Sequence, residues 1–353
     1  MRAAVLYGKE DVRVEEVAPK ALQPGEVRIE IGAALTCGTD LKVFKRGYHA
    51  KMIVPPALFG HELAGTVVEA RPATHTSSAG MARKQETIWR VGDRVVVANS
   101  APCGRCYYCL GGQENLCDDL IFLNGAYAES IVVPRRIACK NLLRLKPETP
   151  FADAALVEPL ACVVQGIEDT RLQARQRVLV IGAGPIGLLF VALCKHLGCW
   201  VAVAGRGKVR LKTAWRLGAT QGFEVAGRND VVAAVPGDLV FDVVIEAVGK
   251  PETWEAAVRL VRKGGIVNFF GGCPSGTTVS LDTSLLHYSS LSLLASFHHT
   301  PHTIRRALEF IEKRVVSAAD FVDGECPLSQ LPALFKGMAS GNRGIKTLIR
   351  VCD

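Results

Sequence analysis

Val178-Leu179-Val180-Ile181-Gly182-Ala183-Gly184-Pro185-Ile186-Gly187 joins an apolar, strand-like run to the pattern G-x-G-x-x-G, and Leu188 to Leu197 continue it as a helical stretch. Alone the glycine pattern is weak, but leaving a strand and opening a helix it reads as a dinucleotide-binding turn. Gly182 permits the tight turn, Gly184 lets the backbone approach a pyrophosphate, and Gly187 lets the helix pack close on the sheet. Pro185 and Ile186 begin that helix, whose N-terminal N–H groups would receive the diphosphate. The plainer alternative is a glycine turn in a doubly wound domain that holds no nucleotide.

Outward from this turn the rhythm continues as βαβ. Strands are expected at Trp200 to Ala204, Phe241 to Ile245, Gly265 to Phe270 and Leu291 to Ala295, with helices such as Thr253 to Arg262 between them. Such alternation implies a doubly wound parallel sheet, an α/β domain over 151–297. Residues 1–150 differ: Val27 to Ile31, Gly65 to Glu69 and Arg94 to Val97 are short alternating runs separated by turn residues, the mark of a loop-rich β domain. The last stretch, 298–353, offers a helix near Thr303 to Lys313 and a closing strand near Lys346 to Val351, and is assigned to the first domain. Arg71 to Arg90 is polar and basic and reads as a surface loop.

Length and composition agree with two domains. A chain of 353 residues exceeds what one hydrophobic core usually supports, and 49% hydrophobic content excludes disorder. The longest apolar runs, such as Ile186 to Cys194, fall well short of the roughly 20 residues a bilayer requires, so no membrane span is expected. The N-terminus shows no signal-peptide pattern, which makes a reducing cytoplasm the expectation. The net charge of +8 arises from 42 basic and 34 acidic residues spread along the chain, without a nucleic-acid-reading motif, so no nucleic-acid partner is expected.

Coenzyme choice is read about 20 residues beyond the turn, where an NAD-binding chain places an acid for the ribose 2'-hydroxyl. Here the strand runs into Gly205-Arg206-Gly207-Lys208. Glycine in place of a carboxylate removes repulsion against a 2'-phosphate, and Arg206 offers a bidentate phosphate partner. NADP is therefore the expected coenzyme, with Gly205, Arg206 and Lys208 near its phosphate; the alternative is that Arg206 stacks on adenine and NAD serves as well.

In a reducing compartment the twelve cysteines are not a disulfide framework. Cys103, Cys106, Cys109 and Cys117 form C-x2-C-x2-C-x7-C, four thiolates able to close a tetrahedral shell around a structural zinc. An iron–sulfur cluster is the competing reading, although the x3 spacing and trailing proline are missing. The seven cysteines 139, 162, 194, 199, 273, 326 and 352 read as small buried hydrophobes. Cys37-Gly38-Thr39-Asp40 and Gly60-His61-Glu62 are bland singly, since a lone cysteine or histidine is commonly structural.

Taken together in this order with the four-cysteine lobe and the dinucleotide turn, they resemble the medium-chain zinc-dependent alcohol dehydrogenase family, in its sorbitol/polyol and threonine dehydrogenase branch. The resemblance spans nearly the whole chain and includes Gly92-Asp93-Arg94-Val95, Glu158-Pro159-Leu160, Leu217-Gly218-Ala219 and Lys263-Gly264-Gly265. It implies a GroES-like catalytic domain beside a Rossmann domain, two zinc ions per chain, and a homodimer or homotetramer. It makes Cys37 and His61 ligands of a catalytic zinc, with Glu158 where alcohol-metabolising members carry cysteine and Glu62 as a second carboxylate exchanging with it. Asp40 would hold the far nitrogen of His61.

The same resemblance gives Thr39 the first step of a proton relay and puts Lys42 where the family has a relay histidine. Lysine serves there only if burial or a nearby cation lowers its pKa. Lys346 matches a basic residue that touches the coenzyme diphosphate; otherwise it is a solvated surface lysine. The implied reaction is hydride transfer from a secondary alcohol of a polyol or cyclitol, a small hydroxylated molecule, to the nicotinamide. The alternatives are a threonine-3-dehydrogenase-like activity on an amino alcohol and a non-catalytic, zinc-stabilised NADPH-binding protein.

Overall fold

In the second unit, six short strands pair side by side and in parallel, the central ones dense in valine, isoleucine and alanine. The computed structural model describes residues 1–73, 89–226 and 230–351, and the chain divides into Met1–Glu158 with Thr300–Asp353, and Pro159–His299. Residues 74–88 of the expected Arg71 to Arg90 loop, and Cys352, lie outside the described residues.

The strand order of the second unit is Gln221–Glu224, Trp200–Gly205, Arg177–Ile181, Val243–Glu246, Ile266–Phe269, Ser292–Ala295. Every pairing in it is parallel. Leu179, Ile181, Ala202, Val244 and Val267 are fully or almost fully buried, as strands covered on both faces must be. The order reverses at Arg177–Ile181, and in open α/β sheets ligands bind beyond the carboxyl ends of strands at that switch point. The edge strand Gln221–Glu224 was not legible in the sequence, because QGFE is short, half polar and lacks alternation. Among the described residues no helix is long and apolar enough to cross a membrane.

The first unit is built on Val27–Leu35, which pairs antiparallel with Glu62–Ala70 and Ser130–Val133. Lys346–Arg350 lies antiparallel on its end, with Leu348 opposite Leu35, and parallel to Val322–Pro327. This closing strand is what brings position 346 beside positions 36 and 62. Ile29, Leu63, Val67, Val95, Phe44, Phe59 and Phe335 fill the interior, and Leu35 is fully buried as well.

The cysteines outside the motifs divide more finely than expected. Cys194, Cys199 and Cys326 are buried, but Cys162 and Cys273 are half-buried and Cys139 is exposed. Cys139 falls in the last turn of the amphipathic helix Arg135–Lys140, whose buried face is Ile137 and Ala138, so its neighbours in sequence are not its neighbours in space.

Candidate functional site

Cys37 is the N-cap of helix Gly38–Arg46, and its sulfur accepts the Thr39 N–H at 3.4 Å. His61 and Glu62 enter strand Glu62–Ala70, whose register places Glu62 opposite Leu35. Helix start and strand start thereby converge, and the donor atoms of Cys37, His61 and Glu62 all lie within 4.8 Å of one another. Asp40, one turn into the same helix, accepts from His61 Nδ1 at 2.8 Å, which leaves Nε2 of the ring for a metal or for Cys37. Burial opposes a charge on His61, but Asp40 and Cys37 outweigh it and hold its pKa well above the ordinary value. Burial and the carboxylate of Glu62 push the Cys37 thiol up. A soft thiolate, an imidazole oriented from behind and a carboxylate are the donor set of an open zinc site, so the residues fit that ion.

Lys346 is buried, and its Nζ donates to both carboxylate oxygens of Glu62, at 2.8 and 2.5 Å, and to the Thr36 carbonyl at 3.0 Å. Lys346 is therefore not a solvated surface lysine, and the contacts of its ammonium are with Glu62 and Thr36, which does not support the expected contact with a coenzyme diphosphate. Burial works against the Lys346 charge, yet Glu62 and Cys37 hold its pKa up. Burial outweighs the pull of Lys346 and raises the Glu62 carboxyl above its ordinary value; with two short contacts and a carbonyl around the ammonium we take the pair as ionised.

Glu158, in the first turn of helix Val157–Asp169, is buried, and burial pushes its carboxyl up to about 7 against the pull of His61. Thr39 is half-buried beside Cys37. Lys42 is exposed on a helix whose buried residues are Asp40, Leu41, Val43 and Phe44, so burial, one of the two conditions under which a lysine could serve as relay, is absent.

The cysteine lobe is a separate local structure. The four sulfurs of Cys103, Cys106, Cys109 and Cys117 lie within 4.8 Å of one another, and the Cys103 and Cys109 sulfurs are 3.9 Å apart. A tetrahedral shell with Zn–S near 2.3 Å has sulfurs about 3.8 Å apart. Backbone N–H groups already point at the sulfurs: Arg105 and Cys106 at Cys103 (3.4 and 3.3 Å), Gly104 at Cys109 (3.3 Å) and Cys103 at Cys117 (3.2 Å). These donors, Arg105 first, bring Cys103 down to about 6, whereas burial and its neighbours push Cys109 up to about 12. A loop that aims amides at four converging sulfurs fits zinc thiolates.

In the second unit Gly182 has φ +115°, and Gly184 is the N-cap of helix Pro185–His196 with Pro185 in its first turn. A Cβ at Gly187 would stand 1.8 Å from the Gly182 carbonyl oxygen, which explains the third glycine. Gly205 ends its strand with no room for a side chain, since a Cβ would meet Ala183 Cβ at 2.5 Å and Ala183 N at 2.7 Å. An acid there would have to displace the dinucleotide turn. Arg206 and Lys208 are exposed beyond it.

Sequence reasoning missed Glu246, at the end of strand Val243–Glu246, whose buried carboxylate accepts from Val248 N, Gly249 N and Thr253 Oγ1 at 2.8, 3.0 and 2.8 Å. The loop it ties down touches the dinucleotide turn: a Cβ on Gly182 would lie 2.9 Å from Val248. The signal available was a lone Glu between an apolar strand and Gly249.

Residues 23–143 match the family described as alcohol dehydrogenase GroES-like domain, and residues 185–313 match zinc-binding dehydrogenase. The chain is 32% identical to D-altritol 5-dehydrogenase of Agrobacterium fabrum over 95% of both chains. It is 32% identical to L-threonine 3-dehydrogenase of Pyrococcus horikoshii, over 86% of this chain and 84% of the relative. The crystal structure of a Sinorhizobium meliloti protein described as a zinc-binding dehydrogenase bound to NADP superposes with a TM-score of 0.86 at 28% identity, covering 99% of this chain and 98% of that one.

Proposed function

The chain belongs to the medium-chain zinc-dependent alcohol dehydrogenase family, and from that premise we propose that it oxidises a secondary alcohol of a polyol or cyclitol to a ketone with NADP as hydride acceptor. The observation that carries the proposal is the convergence of Cys37, His61 and Glu62 within 4.8 Å in a chain that also carries the dinucleotide turn. Zinc, when bound by Cys37, His61 and the carboxylate of Glu62 or Glu158, supplies Lewis acidity that lowers the pKa of an alcohol, and the coenzyme supplies the hydride-accepting carbon.

The chain's own residues do the rest. Asp40 fixes the tautomer and plane of His61; Lys346 keeps Glu62 ionised in a dry interior; Thr39, half-buried beside Cys37, relays the proton released from the substrate hydroxyl, taking it while its own hydroxyl proton passes on to the coenzyme ribose hydroxyls and so to water. Lys42, exposed, is given no step. Gly182, Gly184, Pro185, Ile186 and Gly187 cradle the diphosphate, and the absence of side-chain room at Gly205 with Arg206 beside it supports a 2'-phosphate. A second zinc at Cys103, Cys106, Cys109 and Cys117 orders its loop without reacting.

The threonine dehydrogenase relative supports a second reading, an amino alcohol as substrate. A panel of polyols, cyclitols and threonine, followed by NADPH absorbance with Cys37→Ser as control, separates the two; turnover of none of them would leave the non-catalytic NADPH-binding alternative. A KM clearly lower for NAD than for NADP would refute the coenzyme assignment. Loss of one charge-assisted phosphate contact in Arg206→Ala is expected to raise the NADP KM roughly tenfold or more and leave that for NAD little changed. A cytoplasmic homodimer or homotetramer belongs to the same reading, and light scattering of the purified protein decides the oligomer.

A further inference from the structure

The Tyr127 hydroxyl lies 2.6 Å from Asp40 Oδ2 and 3.1 Å from the Leu35 carbonyl, and the tyrosine is completely buried. A phenol has one proton to give, and the shorter contact is to the charged acceptor, so the bond is made to Asp40. The two carboxylate oxygens of Asp40 are then divided: Oδ2 takes Tyr127 and Oδ1 takes His61 Nδ1. Asp40 cannot turn about its own axis without breaking one of these bonds.

The main chain of Tyr127 is pinned as well. Its N–H donates to the Phe59 carbonyl at 3.0 Å, and its carbonyl accepts the Ala4 N–H at 2.8 Å. The ring meets Phe59 and Phe335 at centroid distances of 5.6 and 5.9 Å. It also occupies the space beside Gly60, where a Cβ would stand 2.6 Å from the ring, and Gly60 has φ +89°. One side chain therefore braces both arms of the cluster, the helix through Asp40 and the strand entry immediately before His61.

We propose that Tyr127 is a positioning residue of the Cys37–His61 metal centre, fixing the plane of the His61 imidazole by holding Asp40. The proposal rests on the reading of Cys37 and His61 as zinc ligands. Removing a partner that orients a ligating histidine typically weakens metal binding by about 10- to 100-fold, and a group one bond further out falls at the low end. Phenylalanine at 127 keeps the ring packing and the room at Gly60 while deleting the hydroxyl.

The test is zinc retention of the purified protein against a chromogenic chelator, with Cys37→Ser marking which zinc belongs to this cluster. In Tyr127→Phe the cluster zinc is expected to bind roughly tenfold more weakly while the zinc of the cysteine lobe is held as in wild type. Equal retention of both zincs overturns the proposal, as does equal weakening of both, which would report general loosening. Asp40→Asn, with Tyr127 intact, is the second variant and does not depend on the folding of the first: a cluster zinc held as tightly as in wild type would remove the link through which Tyr127 acts. Combining the two substitutions should weaken the zinc no more than the worse single one. If wild-type protein holds only the lobe zinc and Cys37→Ser changes nothing, the ligand reading itself has failed, an outcome visible before any comparison with Tyr127→Phe.

Discussion

The cysteine lobe and the Cys37–His61–Glu62 cluster are two candidate metal sites in one unit, made in opposite ways. The lobe draws its four sulfurs from 103–117, lies partly in water, and quiets its thiolates with nearby amides. The cluster draws donors from a helix start and a strand start, is largely buried, and balances charge with side chains: Lys346 on Glu62, Asp40 on His61. Amides cannot be titrated and are supplied by local backbone, so a lobe of that kind is stable but inert. Ionisable partners in a dry interior make a site whose charge responds to what binds there, which is what catalysis needs.

Substituting one candidate ligand in each region should separate them most sharply. Cys37→Ser removes a thiolate from the cluster, and the loss of several kcal/mol of Lewis-acid assistance corresponds to at least about a thousandfold lower kcat/KM. Cys106→Ser in the lobe should leave kcat/KM of the folded protein within roughly threefold but speed proteolytic cleavage between Pro102 and Asp119. Comparable activity losses in the two variants would break the distinction between a reacting and an ordering site.

Legibility follows the same division. All four lobe cysteines stand within one short window, so spacing alone makes them a candidate set. The glycine turn was equally plain, because its strand and helix flank it in sequence. Cys37 and His61 acquired meaning only jointly, and the buried partners of the cluster less still. Lys346 reaches Glu62 across 284 positions through the pairing of the closing strand, and Tyr127 reaches Asp40 across 87 through a loop. No periodicity marks such residues, since what places them is the register of distant strands. The exposed Lys42 shows the converse: a residue can occupy a family position in sequence, here with a lysine for the family's histidine, while helix phase turns its side chain to water.

Lys346 itself provides the second test. Deleting one partner of a buried ion pair leaves an uncompensated charge and costs about 3–5 kcal/mol. Lys346→Met is expected to lower the unfolding midpoint by roughly 10 °C. Breaking the exposed Arg136–Asp119 pair near the lobe with Arg136→Met should cost at most about 1 kcal/mol. Thermal unfolding of both variants measures the contrast, and equal shifts would mean that Glu62 is solvated rather than enclosed.

The smallest effect concerns pH and has opposite signs in the two regions, provided that metal has been stripped. Glu158 has a pKa near 7 in the folded protein against 4.5 for an ordinary glutamate, chiefly from burial. Between these values the folded state holds a proton that the unfolded state has released, so this group lowers stability as pH rises from about 4.5 to 7, by about 3 kcal/mol once both states are ionised. Cys103 is shifted the other way, to about 6 from 9.0, by backbone donors led by Arg105 N–H. Its thiolate therefore adds stability that is complete above about pH 9 and is lost as pH falls through 6. Denaturant midpoints of metal-free protein from pH 4 to 9 should show Glu158→Gln matching wild type at the acid end and exceeding it above pH 7. Cys103→Ser should match wild type at the acid end and fall below it as pH rises. A Glu158→Gln curve parallel to wild type throughout would place that carboxyl in water rather than in the buried surroundings that raise its pKa.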